Sequence, residues 1–246
     1  MTVKNILVSQ NQPRVITQYE AVGEKFGVHF EFRPLYHIEP LTSREFRAQR
    51  ISIQDYTAIV FSSRHAIDAF FSLAEELRVK IPETMKYFCT TEAVAMYLQK
   101  HIVYRKRKIF YGTGTPESVV ALVTAKHKQE KFLITMSDSS NADALTRLFD
   151  AQKLTYRTGA FVKTVNSDLK DLDLSHEMLV LFNPADLRSL QENFPDFVQG
   201  DTVIIAYGKS IARALEEGGF RVDLKAPTPE IPSVARAVEV WLENNQ

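Results

Sequence analysis

A series of short stretches in this chain sets hydroxyls, amides or glycines where an apolar run gives way to a helical pattern. They are Ser9-Gln10-Asn11, Ser62-Ser63-Arg64, Thr90-Thr91, Gly112-Thr113-Gly114-Thr115, Ser137-Asp138-Ser139-Ser140, Asn183-Pro184, Gly208-Lys209-Ser210 and Pro227-Thr228. Free N–H groups and the helix dipole make a helix start favourable to anions. In open parallel sheets, ligands bind outside the carboxyl ends of the strands. The set therefore suits a ligand with several carboxylates or phosphates. Ser, Thr and Asn before a helix are also ordinary N-caps, worth about 1 kcal/mol each. One such turn says little; the collection says more.

Other chemistries find less support. Gly112-Thr113-Gly114 is too short for a dinucleotide fingerprint, and neither GxGxxG nor GxxxxGK[ST] occurs. His29, His37, His65, His101, His127 and His176 are scattered, without HxxxH or HExxH spacing. With Cys89 as the one cysteine, neither a transition-metal site nor an internal disulfide is expected. Ser62 or Ser63 as a nucleophile would need a GxSxG elbow, which is absent. Tyr104-Arg-Lys-Arg-Lys108 reads as a solvated basic face, His65 as a surface residue at a helix start, and Cys89 and Trp241 as packing residues.

The elements that must position these turns alternate along the chain. Strand patterns cover Asn5–Ser9, Ala58–Ser62, Tyr87–Cys89, Lys108–Tyr111, Phe132–Thr135, Leu179–Phe182, Val203–Ala206 and Arg221–Leu224. The 3.6-period segments are Val15–Phe26, His65–Leu77, Thr91–Lys100, Pro116–His127, Ala142–Ala151, Ala185–Asn193, Ser210–Glu217 and Pro232–Leu242. Such alternation predicts α/β architecture, with parallel sheets covered by helices on both faces. Across 246 residues, 45% hydrophobic and 24% charged, there is room for one large domain or two smaller ones. Thirty basic and thirty acidic residues cancel, so no global field selects nucleic acid or an anionic membrane. Apolar runs reach only about five residues, too short to span a bilayer. MTVKNILVSQ lacks a signal-peptide pattern, and the single cysteine fits a cytoplasmic address.

The order of units repeats. ILVSQNQPRVITQYEAVGEKFGVHFEF parallels FLITMSDSSNADALTRLFDAQKLTYRT, and TAIVFSSRHAIDAFF parallels MLVLFNPADLRSLQE. KYFCTTEAVAMYLQK parallels TVIIAYGKSIARALEEG. FYGTGTPESVVALV parallels LKAPTPEIPSVARAV, sharing Thr115–Glu117 and Thr228–Glu230 as Thr-Pro-Glu. The repetition predicts two similar α/β domains of roughly half the chain each. His29–Leu41 (HFEFRPLYHIEPL) and Gly159–Asn166 (GAFVKTVN) break the rhythm, either as ordinary strands or as paired crossovers between domains.

IVFSSRHAIDAFF, LVLFNPADL, IIAYGKSIARALEEGGFRV and KAPTPEIPSVARAV, in this order, resemble the uroporphyrinogen-III synthase family. Its members carry a strand ending in F-[TS]-S before a helix, a second F-x-S-P turn, I-G-x-x-T-A-x-A-L-x-x-x-G, and A-x-x-P-T near the C-terminus. The resemblance spans essentially the whole chain. It implies two flavodoxin-like parallel-sheet domains joined by a two-stranded β linker, with a cleft between them. Domain 1 would hold residues 1–33 plus 166–246 and domain 2 residues 40–158, with linker strands at 34–39 and 159–165.

The resemblance further implies a cofactor-independent, metal-free lyase that acts as a cytoplasmic monomer without nucleic-acid or membrane partners. Its substrate would be hydroxymethylbilane, closed to uroporphyrinogen III with loss of water and inversion of the terminal pyrrole, in haem biosynthesis. Ser62, Ser63, Arg64, Thr90, Thr91, Gly112 and Gly114 are the substrate-binding candidates in one domain. Asn183, Pro184, Gly208, Lys209 and Ser210 are those in the other, with Arg64 and Lys209 as charge partners. Members of the family often place a tyrosine in the second linker strand, proposed to assist loss of the hydroxyl. Here that position holds Val162, so the catalytic group is undetermined unless Tyr36 or Tyr104 substitutes. The family threonine falls on Ile211, and the serine of the second turn on Asn183. Competing readings are a non-catalytic two-domain binder of a small polycarboxylate and a phosphate- or nucleotide-using α/β enzyme.

Overall fold

The computed structural model describes residues 2–137 and 143–245. In chain order the first elements are β1 (Asn5–Val8), α1 (Thr17–Phe26), β2 (His29–Phe32), β3 (Tyr36–Pro40), α2 (Ser43–Ala48), β4 (Ala58–Phe61) and α3 (Arg64–Glu76). Next come β5 (Lys86–Cys89), α4 (Glu92–Tyr97), β6 (Ile109–Tyr111), α5 (Pro116–Lys126), β7 (Lys131–Ser137), α6 (Asp143–Ala151) and β8 (Thr155–Asn166). The chain ends with β9 (Met178–Leu181), α7 (Pro184–Asn193), β10 (Val203–Tyr207), α8 (Lys209–Glu217), β11 (Leu224–Ala226) and α9 (Val234–Asn245).

These elements form two compact units, residues 1–37 with 165–246, and residues 38–164. The first unit's sheet runs β11-β10-β9-β1-β2, and the second's runs β3-β8-β7-β4-β5-β6. Setting β3 aside, β2-β1-β9-β10-β11 and β8-β7-β4-β5-β6 are the same arrangement of the repeated strand–helix steps. Each sheet takes the first step of one repeat and the remaining three of the other. Ladders such as Ile6↔Met178 and Ile59↔Leu133 are parallel.

Period-two alternation decides which face each strand residue enters. In β1, Ile6 and Val8 pack with Val22 of α1 and Val234 and Val238 of α9, while Leu7 packs with Leu187, Leu190, Ile211 and Leu215 of α7 and α8. In β4, Ile59 and Phe61 join Ile67 and Phe70 of α3, whereas Ala58 and Val60 join Val119 and Val123 of α5 and Phe149 of α6. Both faces are covered, so each sheet has two cores. A fully buried side chain such as Phe70 or Leu215 contributes about 1.5–3 kcal/mol.

Two sequence expectations change, and one left open is resolved. The last strand begins at Leu224, not Arg221. Asp223 Oδ2 accepts the N–H of Ile204 at 2.8 Å, and its Oδ1 accepts from Arg221 Nε at 2.7 Å, so a side chain replaces the ladder there. Helix α2 falls outside the periodic segments, although Thr42-x-x-Glu45 forms a capping box at its start. The stretch His29–Leu41 is two strands broken around fully buried Leu35, and Gly159–Asn166 is the second half of the continuous strand β8.

Candidate functional site

In open sheets of this kind the ligand position is the switch point, where neighbouring strands send their connections to opposite sides. In the first unit that point lies between β1 and β9, and in the second between β4 and β7. The turns following β1, β9 and β4 hold Ser9, Asn183 and Ser62-Ser63, and Ser137 ends β7. Asp138, Ser139 and Ser140 lie outside the described residues.

In the second unit, three consecutive turns are tied together. Thr90 N–H donates to the carbonyl of Phe61 at 3.0 Å, and Thr90 Oγ1 donates to that of Ser62 at 3.4 Å. Gly112 N–H donates to Cys89 O at 3.0 Å and Gly114 N–H to Thr90 O at 2.8 Å. Ser62, Thr90, Thr91 and Gly114 are thereby gathered at one edge. Ser63 Oγ accepts Ala66 N–H at 3.1 Å, and Thr91 Oγ1 accepts Val94 N–H at 3.3 Å. Both hydroxyls act as N-caps, and a capping hydroxyl keeps its own proton to donate to a carboxylate. Arg64 is exposed, and its guanidinium lies 5.4 Å from the centroid of the Tyr97 ring. Among the described residues it has no acidic partner.

Gly112 is buried and serves packing. A Cβ there would stand 2.3 Å from Ser118 Oγ, which accepts Thr113 N–H at 3.0 Å and donates to Thr115 O at 2.6 Å. Gly114, with φ of 98°, supplies a left-handed turn that other residues rarely adopt.

In the first unit the two turns differ. After β9, Asp186 Oδ2 accepts the N–H groups of Phe182 and Asn183, each at 2.9 Å. Asn183 Oδ1 accepts that of Ala185 at 3.0 Å, and Asn183 O that of Asp186 at 2.8 Å. Pro184 has no N–H. The backbone donors from Phe182 to Asp186 are therefore spent internally, and Asn183 retains only its Nδ2 for a ligand. After β10, by contrast, Gly208 caps α8 with no side-chain hydrogen bond, at φ 144°. The first N–H groups of α8 are left uncapped beside exposed Lys209 and Ser210, neither of which has a partner among the described residues.

Sequence reasoning missed Ser9 and Asp186 as a pair. Asp186 is fully buried, Ser9 is 6% exposed, and neither Ser9 Oγ nor Asp186 Oδ1 makes a well-formed hydrogen bond. Burial pushes the Asp186 carboxyl up, while the N–H groups of Phe182 and Asn183 and the Ser9 hydroxyl hold it back. The spacing Asn183-x-x-Asp186 is a capping-box signal that could have flagged the carboxylate. Half-buried Tyr36 has its phenol raised by burial and by the Asp186 charge, and lowered by Arg188. Val162 is 5% exposed, apolar, and unable to donate a proton. With Ile38, Pro40, His65, Asp68 and Ser72 it lines a cavity of about 240 Å³ within the second unit. Among the described residues, no cluster of three or more His, Cys, Asp or Glu could hold a metal ion.

The model of the family described as Uroporphyrinogen-III synthase HemD matches residues 17–236. The chain belongs to the uroporphyrinogen-III synthase family. Family membership carries a lyase function in tetrapyrrole biosynthesis. Two solved structures share the fold. A mutant uroporphyrinogen III synthase from the extremely thermophilic bacterium Thermus thermophilus is 14% identical with a TM-score of 0.57, the match covering 98% of this chain and 100% of that one. Uroporphyrinogen-III synthetase from Helicobacter pylori 26695 is 15% identical with a TM-score of 0.59, at the same coverage of both chains. No curated protein matches the sequence. The two mixed α/β units with parallel sheets agree with the architecture expected of the family. Among the described residues, no helix is long and apolar enough to cross a membrane.

Proposed function

We propose that the strand-end turns of the two units receive the acetate and propionate carboxylates of hydroxymethylbilane and curl the bilane for closure to uroporphyrinogen III. The observation that carries this reading is the uncapped start of α8, where Gly208 leaves backbone donors beside Lys209 and Ser210. Arg64 and the hydroxyls of Ser62, Ser63 and Thr91 are the corresponding donors in the second unit, while Thr90 ties the turn together through its hydroxyl bond to the Ser62 carbonyl. Asn183 contributes through its Nδ2, while Pro184, Gly112 and Gly114 shape the turns.

The bilane loses its hydroxyl readily as water, so the protein's task is orientation rather than activation. It must favour attack at one ring carbon over another. Suppressing the wrong closure a hundredfold takes about 2.7 kcal/mol of barrier difference. A few charge-assisted hydrogen bonds on the carboxylates are enough, at about 1.5–3 kcal/mol each. The enzyme is proposed to act as a monomer in the cytoplasm, and its single, buried cysteine supports the reducing compartment.

The test is a product-isomer assay. Hydroxymethylbilane is generated in situ, the protein is added, and the oxidised porphyrins are separated. Isomer III should dominate. Isomer I alone, formed at the spontaneous rate with folded protein, overturns the proposal.

A further inference from the structure

We infer that a small amphiphilic monocarboxylate binds in a pocket at the amino-terminal end of the second unit's sheet. The pocket holds about 260 Å³ and is lined by residues that precede β5 and β6 or face them. The strand-end turns lie at the other end of the same parallel strands. Four strand residues separate the two ends by roughly 13 Å, so this is a separate site that does not depend on the chemistry proposed above.

Phe71, Ile81, Pro82 and Ile102 form the apolar walls. Tyr87 closes the pocket from the core side. It is only 4% exposed, with its ring 6.4 Å from both Phe61 and Phe71. Its hydroxyl makes no hydrogen bond among the described residues. Burial pushes the phenol up to about 12, so it remains an O–H donor at physiological pH. The hydroxyl is not sealed in the core but opens onto the pocket, where it can donate to solvent or to a ligand.

The mouth supplies charge. Lys108 Nζ donates to the backbone carbonyl of Glu83, a neutral acceptor that leaves the ammonium charge uncompensated. Tyr87 N–H donates to Lys108 O at 2.7 Å, which sets the two residues side by side. Arg105 is exposed and has no acidic partner among the described residues. Glu83 also lines the pocket, so two basic residues stand against one acidic residue and the balance selects a single negative charge. The volume lies below the roughly 300–1,000 Å³ of drug-sized sites. An aromatic or short aliphatic carboxylate of benzoate size fits this combination: an apolar body for the walls, and oxygens for the Tyr87 hydroxyl and the two cations. Arg105 and Lys108, two of the four cations in the run ending at Lys108, thereby gain a role.

Benzoate and its neutral isostere benzamide are the probes, titrated into the full chain and followed by backbone amide shifts. Benzoate should saturate with a Kd on the order of 1 mM, shifting residues 81–87 and 102–109. Benzamide should bind about tenfold more weakly, because the charge-assisted contacts are lost. The surface double variant Arg105→Ala/Lys108→Ala should weaken benzoate by about tenfold at unchanged Tm. Tyr87→Phe, which keeps the packed ring, should weaken it by about fivefold. Equal binding of benzoate and benzamide, shifts confined to other regions, or no saturation by about 10 mM would each overturn the assignment.

Discussion

Asp186 Oδ2 accepts the backbone N–H of Asn183 at 2.9 Å, and Asn183 Oδ1 in turn accepts the N–H of Ala185 at 3.0 Å. A helix start at the first unit's switch point is thus closed by its own side chains, while the neighbouring start at Gly208 stays open. The two turns therefore differ in the backbone donors they leave free.

Asp186 gives the first prediction. Burial lifts its carboxyl above the usual 3.8, so the folded protein holds that proton more tightly than the unfolded chain. The stability from this group is full below 3.8 and is lost as pH rises through the folded value. Asp186→Asn should therefore match the parent in acid and exceed it in stability above that window. Asp186→Ala leaves the N–H groups of Phe182 and Asn183 unpaired and should cost about 2–3 kcal/mol. Urea titrations across pH separate the three proteins. A parent that gains on the Asn variant as pH rises would identify the carboxylate as the stabilising form.

Glu45 behaves in the opposite sense. Lys163 Nζ, at 2.8 Å, and the N–H and hydroxyl of Thr42 draw its carboxyl down to about 2. Its contribution is present above the usual 4.5 and disappears as pH falls towards about 2. Glu45→Gln should flatten that acid limb of the thermal stability curve while leaving neutral-pH activity intact. An unchanged acid limb would remove Glu45 as its source.

Arg64 and Lys209 test the proposed carboxylate contacts. Each is exposed, at the start of its helix, and without an acidic partner among the described residues. Arg64→Ala and Lys209→Ala should each raise the KM for hydroxymethylbilane by about tenfold, with Tm unchanged. An unchanged KM in either variant removes that residue from the binding surface.

Gly208→Ala probes the open turn itself. At φ 144° a Cβ is strained, at a cost of about 1–3 kcal/mol. The variant should lose both thermal stability and isomer selectivity. Selectivity retained at full strength would mean that this turn does not orient the bilane.

Val162→Tyr addresses the missing linker tyrosine. Val162 borders a cavity of about 240 Å³, so a larger ring has space in one direction but meets a packed core in the other. The expected outcome is about 1–3 kcal/mol of destabilisation with the isomer III product still predominant. Loss of isomer III from a folded variant would show that this position must stay small.

The sequence by itself determined the local pieces. Strand, turn and helix succeed one another because apolar periodicity and capping residues act over a few neighbours, and Ser63, Thr91 and Asn183 cap the helices they precede. The family resemblance was legible for the same reason, since its motifs are those turns in order. Only the tertiary structure decided what surrounds these turns and how deeply they are buried. The capping of Asn183 by Asp186 is a local pattern, but the burial that raises the Asp186 carboxyl comes from the fold, which also brings Ser9 beside it through the pairing of β1 with β9. The placing of Tyr87 beside Lys108 arises in the same way, from the pairing of β5 with β6. Such contacts join residues far apart in the chain through sheet order. Burial and electrostatics are set by what the fold places around a group, and no local pattern encodes that.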